Sequence, residues 1–467
     1  MPIATTNPAT GKVLRTFAAH DDAHVESALA AAARAAADWR RVPPAARAAV
    51  VGRAADVLDR RREEFARLMT LEMGKPVQAA RDEAAKCAAA CRYYAEHGPR
   101  FVAPETRVDD AQGVGRVRYD PLGVVVAVMP WNFPFWQVVR FAAPALAAGN
   151  VGLLKHASNV PQCALALEEL FREAGAPAGA FQTLLVGSAR VDALIADPRV
   201  AAVTLTGSEG AGAAVGAAAG RALKPSVLEL GGSDPFVVLP SADVDAAART
   251  AVAARTINNG QSCIAAKRFV VHAAVYDRFV AQLADGMRAL RVGDPMDDAT
   301  QVGPLASAQT RDDVADQVRR TVAAGARLVC GGAAADGPGF YYPPTVLADV
   351  TPDMPAAAEE TFGPVAAVLR AADADDALRL ANATPYGLGA SVWTRDDAEA
   401  ARFEAGVDAG AVFFNAQVVS DPRLPFGGVK RSGYGRELAD VGLRAFVNVK
   451  TVRVAPRGGD PQAGTTE

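Results

Sequence analysis

GVVVAVMPWNFPFWQVVRFAAPALAAGNVGLLKHAS, residues 123–158, decides the fold. GVVVAVMP is a short apolar run rich in β-branched residues and reads as a buried strand. FWQVVRFAAPALAAG is longer, alanine-rich and closed by a glycine, which predicts a helix. NVGLLKH then returns to strand composition. Strand, helix and strand in so few residues form a βαβ unit, which requires a parallel sheet with helices on its faces.

The alternation continues downstream. PQCALALEELFREAG reads as a helix, QTLLVG and AAVTLTGS as strands, EGAGAAVGAAAG as a helix and SVLELGG as a strand. A second series starts near 231: the strand DPFVVL, the long helix DVDAAARTAVAARTINNG, the strand RFVVH and the helix YDRFVAQLADGMRALRVG, with further alternation to about 430. The fold class is therefore α/β, with two α/β units of similar size. Upstream, residues 20–100 are alanine-rich helices whose Asp21–Asp22 start and Gly74 stop suit helix ends. RVRYDP near 116 and AFVNVKTVRV near 445 are β segments outside both series, candidates for a small separate sheet. The tail APRGGDPQAGTTE is rich in Gly and Pro and is expected to be mobile.

A chain of 467 residues is too long for one ordinary core. Its formal net charge of −3 gives no basic field, so neither nucleic acid nor a membrane surface is an expected partner. No apolar run approaches the roughly 18–20 residues of a membrane span, and MPIATTNPATGKVL lacks the basic and apolar regions of a secretory signal. Five cysteines without a regular framework fit a reducing compartment, so the cytoplasm is expected. Cys87 and Cys91 fall on one helix face, but a metal needs two further ligands that the sequence does not place nearby. They read as core residues, and no metal site is expected.

Four stretches carry groups able to do chemistry. NNGQSCIAAKR holds Cys263 among small and polar neighbours. VLELGGSDP puts Glu229 at a strand end before two glycines. PWNFPF puts the amide of Asn132 after another strand, and GLLKHAS puts Lys155 at the end of a third. Open α/β sheets bind ligands at such edges. A thiolate adding to an aldehyde creates an oxyanion, for which the Asn132 amide and the Cys263 N–H are suitable donors. Loss of a hydride then leaves a thioester, and Glu229 is the candidate base for the water that releases it. TLTGSEGAG, residues 204–212, offers a glycine-bearing strand-to-helix turn for a pyrophosphate.

GQSCIAAKR, LELGG, PWNFP, LLKHAS, TLTGS, EETFGPV and PFGGVKRSGYGRE together resemble the aldehyde dehydrogenase superfamily over residues 3–453. The resemblance implies two Rossmann-like α/β domains and a small β oligomerisation element. A dinucleotide-binding domain would take 1–100 and 121–230, and a catalytic domain 231–430. The oligomerisation element would take 101–120 and 443–454, and the tail 455–467. It implies Cys263 as nucleophile, Glu229 as general base and Asn132 as oxyanion donor. Trp131, Lys155, Ser158, Gly207 and Ser208 would bind the cofactor, with Glu360 and Phe362 at the nicotinamide ribose and ring. The superfamily's CoA-acylating branch typically lacks the base, so Glu229 favours hydrolysis to a free acid.

Three residues after Lys155, many NAD-preferring members carry a glutamate. Ser158 stands there instead and cannot repel a 2′-phosphate, which favours NADP, or use of both NADP and NAD. Within the superfamily the pattern is most similar to the shorter bacterial succinate-semialdehyde dehydrogenases. That similarity implies oxidation of succinic semialdehyde to succinate, with Arg140 and Ser420 on the substrate's carboxylate. The family's second arginine, six residues before the nucleophile, is Ile257 here; Arg255, two positions earlier, does not share its helix face. The cysteine that some relatives carry two residues after the nucleophile is Ala265. Another ω-carboxy aldehyde such as glutaric semialdehyde is the alternative substrate. An inactive structural relative would be expected to have lost Cys263 or Glu229. A homodimer or homotetramer is expected by analogy.

Overall fold

The computed structural model describes residues 3–456. The tail expected to be mobile lies outside the described residues from 457 on. The opening stretch forms the strand Val124–Met129, the helix Trp136–Ala148 and the strand Val151–His156. Val124–Met129 is apolar along its whole length because both of its faces are covered, as parallel sheets require. The helix is buried at every position and ends at Gly149, whose φ of 101° a β-carbon would resist. Asn150 then accepts from the Gly123 N–H and donates to the Phe446 carbonyl, tying the two strands at their entry.

Two larger sheets organise the chain. The first has six strands in the order Gly433–Tyr434, Ser226–Glu229, Val200–Thr206, Val124–Met129, Val151–His156 and Phe181–Thr183, all parallel except the first. From Val124–Met129 the chain adds strands on one side and then crosses to the other. The crevice between the ends of Val124–Met129 and Val200–Thr206 is thus a topological switch point, where such sheets bind ligands. The second sheet has seven strands, ordered Arg327–Cys330, Thr345–Ala348, Val365–Ala371, Arg268–His272, Pro235–Val238, Gly389–Trp393 and Ala411–Phe414. Apolar cores lie on both of its faces.

The two segments outside the alternation pair with each other. Val447–Val454, Gly113–Pro121 and Glu105–Asp110 make a three-stranded antiparallel sheet. Val449 and Val454 on its outer strand are 62% and 56% exposed, among polar neighbours that include Lys450 and Arg453. Cys87 and Cys91 are fully buried on the helix Val77–Phe101, as small core residues. Among the described residues no helix is long and apolar enough to cross a membrane.

One expected element differs. The helix read through 243–260 stops at Thr256, and Asn258, Asn259 and Gly260 all take positive φ. Propensity could not show this, because the break is made by tertiary bonds. The Asn259 amide donates to the Gly74 and Pro304 carbonyls, and that of Asn258 to the Asn132 and Gln261 carbonyls. Asparagine tolerates the left-handed region better than other non-glycine residues.

Candidate active site

The loops leaving three strands of the first sheet meet the loops entering two strands of the second. Between them lies a cavity of about 200 Å³, lined by Pro130–Asn132, Thr206–Ser208, Leu230, Gly231, Cys263, Glu360 and Phe362. Cys263 therefore approaches the switch point from the entering edge of the second sheet, not from the end of a strand of its own.

The cysteine loop is held by buried cations and by a backbone contact. Arg255 turns away from the cavity and donates to the Gly260 and Ala266 carbonyls at 2.6 and 2.9 Å. Lys267 donates to the Ser262 and Cys263 carbonyls at 2.9 and 2.8 Å, and its ammonium lies 3.5 Å from Glu360. Gly260 sits so close to the Glu360–Phe362 segment that a β-carbon there would lie 2.3 Å from the Gly363 carbonyl. Only glycine allows this approach, which fixes the cysteine loop against the loop that carries Glu360 and Phe362.

Asn132 is buried and its loop is fixed from behind. Glu83 accepts the N–H groups of Phe135 and Trp136, and the His156 ring bonds the Pro134 carbonyl. The Asn132 amide donates once to the Gln261 carbonyl at 3.0 Å, and its oxygen accepts from Gln137, so its second N–H is free. Among the described residues the Cys263 N–H has no acceptor. Two donors are thus available beside the half-buried thiol. Burial pushes the Cys263 thiol up to about 12, against the opposing charges of Arg140 and Lys267.

Glu229 is not brought against Cys263. Its carboxyl is buried without a hydrogen-bond partner among the described residues, beside Gly427 and near Glu437. Burial, and then the charge of Glu437, hold its pKa well above the usual carboxylate range. Arg140 lies in the same compartment. It pairs with Glu437, sets its guanidinium 4.6 Å over the Phe426 ring and reaches Thr206 at 3.3 Å. Ser420 accepts from Lys86 at 2.7 Å. Neither Arg140 nor Ser420 lines the cavity.

The residues expected to bind the cofactor fall in two groups. Trp131 packs edge-on to Phe362 with ring centres 5.7 Å apart, and both line the cavity with Gly207, Ser208 and Glu360. Ser208 caps the helix Glu209–Arg221, whose N-terminus points its free N–H groups at the switch point. Lys155 and Ser158 lie outside the cavity, along the neighbouring strand end. Lys155 is buried with no salt-bridge partner among the described residues, and burial lowers its pKa. An unpaired cation and a helix N-terminus at one sheet edge suit a dinucleotide's anionic groups, and Ser158 sets no carboxylate against a 2′-phosphate. These residues fit the expected cofactor.

Glu437, Lys267 and Lys86 were not singled out from the sequence. Glu437 ends the quoted motif PFGGVKRSGYGRE and Lys267 lies within GQSCIAAKR, so both were in view without a signal of role. Lys86 had none: its partner Ser420 lies 334 residues away.

Residues 1–452 match the aldehyde dehydrogenase family. A protein of Mycobacterium tuberculosis strain H37Rv, named a succinate-semialdehyde dehydrogenase of the NADP(+) type, is 58% identical over 459 residues, covering 97% of this chain and 100% of its own. Its counterpart from Mycobacterium avium is 56% identical over 469 residues, covering 100% and 99%. The crystal structure of succinic semialdehyde dehydrogenase from Streptococcus pyogenes with NADP+ superposes with a TM-score of 0.94 at 38% identity, covering 97% of this chain and 100% of that one.

Proposed function

The chain belongs to the aldehyde dehydrogenase family, and from that premise we propose that it oxidises succinic semialdehyde to succinate with NADP. The observation that carries the reaction class is the meeting of Cys263 with two free N–H donors in the cavity at the switch point. The substrate follows the relatives of like name, matched over their whole length.

Cys263 attacks the aldehyde carbon as a thiolate. A thiol pushed up to about 12 is protonated at neutral pH, so its proton must pass to a base as the S–C bond forms. The charges of Arg140 and Lys267 favour the thiolate. The carbonyl oxygen becomes an oxyanion held by the second Asn132 N–H and the Cys263 N–H. When bound, NADP supplies the hydride acceptor. Lys155, Ser158, Gly207 and Ser208 would hold its adenosine and phosphate end, and Trp131, Glu360 and Phe362 the nicotinamide end. The resulting thioester on Cys263 is hydrolysed by a water that Glu229 deprotonates.

Glu229 must swing out of the Glu437 compartment to reach that water. Two buried carboxylates lie there, answered by Arg140 and, for Glu229, also by Arg436, and burial raises the pKa of both. Leaving the compartment separates Glu229 from Glu437 and lowers its pKa towards that of a working base. The overall balance is aldehyde, NADP+ and water to carboxylate, NADPH and two protons.

The substrate's far carboxylate lies towards Arg140 and Ser420. We further infer a homodimer or homotetramer in the cytoplasm, paired through the sheet of residues 105–121 and 447–454, whose outer strand Val447–Val454 has an open edge. Steady-state assay with NADP and NAD against succinic semialdehyde, glutaric semialdehyde, butanal and acetaldehyde tests the proposal. The expected result is the highest kcat/KM with succinic semialdehyde and NADP, and equal molar yields of succinate and NADPH. At least tenfold better kcat/KM with NAD would overturn the cofactor assignment, and better kcat/KM for butanal the substrate.

A further inference from the structure

Lys86, like Lys155 at the cofactor edge, has no acid of its own among the described residues, but it stands on the side of the Asn132 loop and Ser420. It projects from the helix Val77–Phe101, half-buried, with its ammonium 4.3 Å over the Trp136 ring and 2.7 Å from Ser420 Oγ. Each nearby acid is already taken. Glu83 pairs with Lys75 and caps the helix after Asn132. Asp421 is bound by Arg423, and Glu437 by Arg140. Among the described residues Lys86 has no salt-bridge partner. One positive charge is thus left over where desolvation is costly, and a bound anion would offset that cost.

The position of that charge relates it to the reaction. Trp136 opens the helix that follows the Asn132 loop. Ser420 begins a loop whose other end, Phe426–Gly427, lies against Arg140 and Glu229. The segment 420–427 therefore spans from Lys86 to the compartment of the general base. The charge of Arg140 acts on Lys86, although Arg140 is itself paired with Glu437.

Building on the reaction proposed above, we propose that Lys86, with Ser420, binds the far carboxylate of the semialdehyde and so selects ω-carboxy aldehydes over neutral ones. The ammonium supplies a charge-assisted hydrogen bond, the serine hydroxyl turns to donate, and the Trp136 ring holds the lysine stem. Arg140 contributes field and its remaining donors.

Steady-state kinetics of Lys86→Met and Lys86→Arg with succinic semialdehyde and butanal tests the assignment. Removing a charge-assisted hydrogen bond raises KM for succinic semialdehyde about ten- to a hundredfold in Lys86→Met. Butanal kinetics stay within about twofold, and Lys86→Arg restores most of the affinity, a pattern that mere misfolding does not give. A wild-type preference for succinic semialdehyde that survives unchanged in Lys86→Met overturns the inference alone. A wild-type protein with no such preference overturns the substrate reading, and the inference with it.

Discussion

Gly260→Ala puts one methyl group into the structure without touching a reacting group. At φ +76° the new side chain costs about 1–2 kcal/mol for its left-handed backbone. The larger effect is steric. The β-carbon would lie 2.3 Å from the Gly363 carbonyl and 2.6 Å from the Pro364 nitrogen, where ordinary contact begins at 3.4 Å. These neighbours are backbone, so the cysteine loop and the Glu360–Phe362 loop must part by roughly 1 Å. A misplacement of that size costs about a hundredfold in rate, near 2.7 kcal/mol in the barrier at about 1.36 kcal/mol per tenfold. The assay is kcat with saturating succinic semialdehyde and NADP, alongside thermal unfolding. Gly220→Ala is the control. Its β-carbon meets nothing within 4 Å, and it lies in the helix Glu209–Arg221, so activity is unchanged and stability equal or slightly higher. A kcat for Gly260→Ala within about twofold of wild type would show that the two loops need not stay in contact for turnover.

Three further outcomes are expected. Glu229→Gln gives a burst of about one NADPH per active site followed by turnover slowed about 10²–10⁴-fold, because acylation proceeds and hydrolysis does not; stopped-flow absorbance without a burst counts against a deacylation role. Asn132→Ala lowers kcat about 10²–10³-fold by removing one oxyanion donor, while NADP affinity measured by fluorescence titration changes little. The third is a pH dependence. Burial, and then the charge of Arg140, lower the pKa of Lys86 to about 8, against the opposing charges of Cys87, Glu83 and Asp421. The ammonium is charged below that value and lost above it. The KM ratio of succinic semialdehyde to butanal therefore rises as pH passes upward through about 8, and stays flat in Lys86→Arg, whose guanidinium remains charged.

The sequence carried the site's chemistry further than its geometry. Alternation of strand and helix located the strands ending at Met129, Thr206 and Glu229, because buried parallel strands must be apolar throughout. The break at Asn258 was hidden, since it depends on the carbonyls of Gly74 and Pro304, far away in the chain. Arg140 was legible as a cation, but not its pairing with Glu437, which turns it from a free ligand into part of the base's compartment. Glu229 was legible as a carboxylate at a strand end, but not its place beside Gly427 and Glu437, where a β-carbon on residue 427 would crowd its carboxyl. Ile257 offered no charge at the second arginine's position, and nothing local to Lys86 pointed to Ser420. Local pattern reports elements and edges; the partners of buried charges are a property of the assembled fold.

In the proposed reaction the aldehyde carbon becomes bonded to the Cys263 sulfur before the hydride leaves. The most direct test of that bond is the rate of NADP reduction by Cys263→Ala with succinic semialdehyde, on protein whose unfolding temperature matches wild type. The expected rate is background. Reduction at the wild-type rate would contradict it.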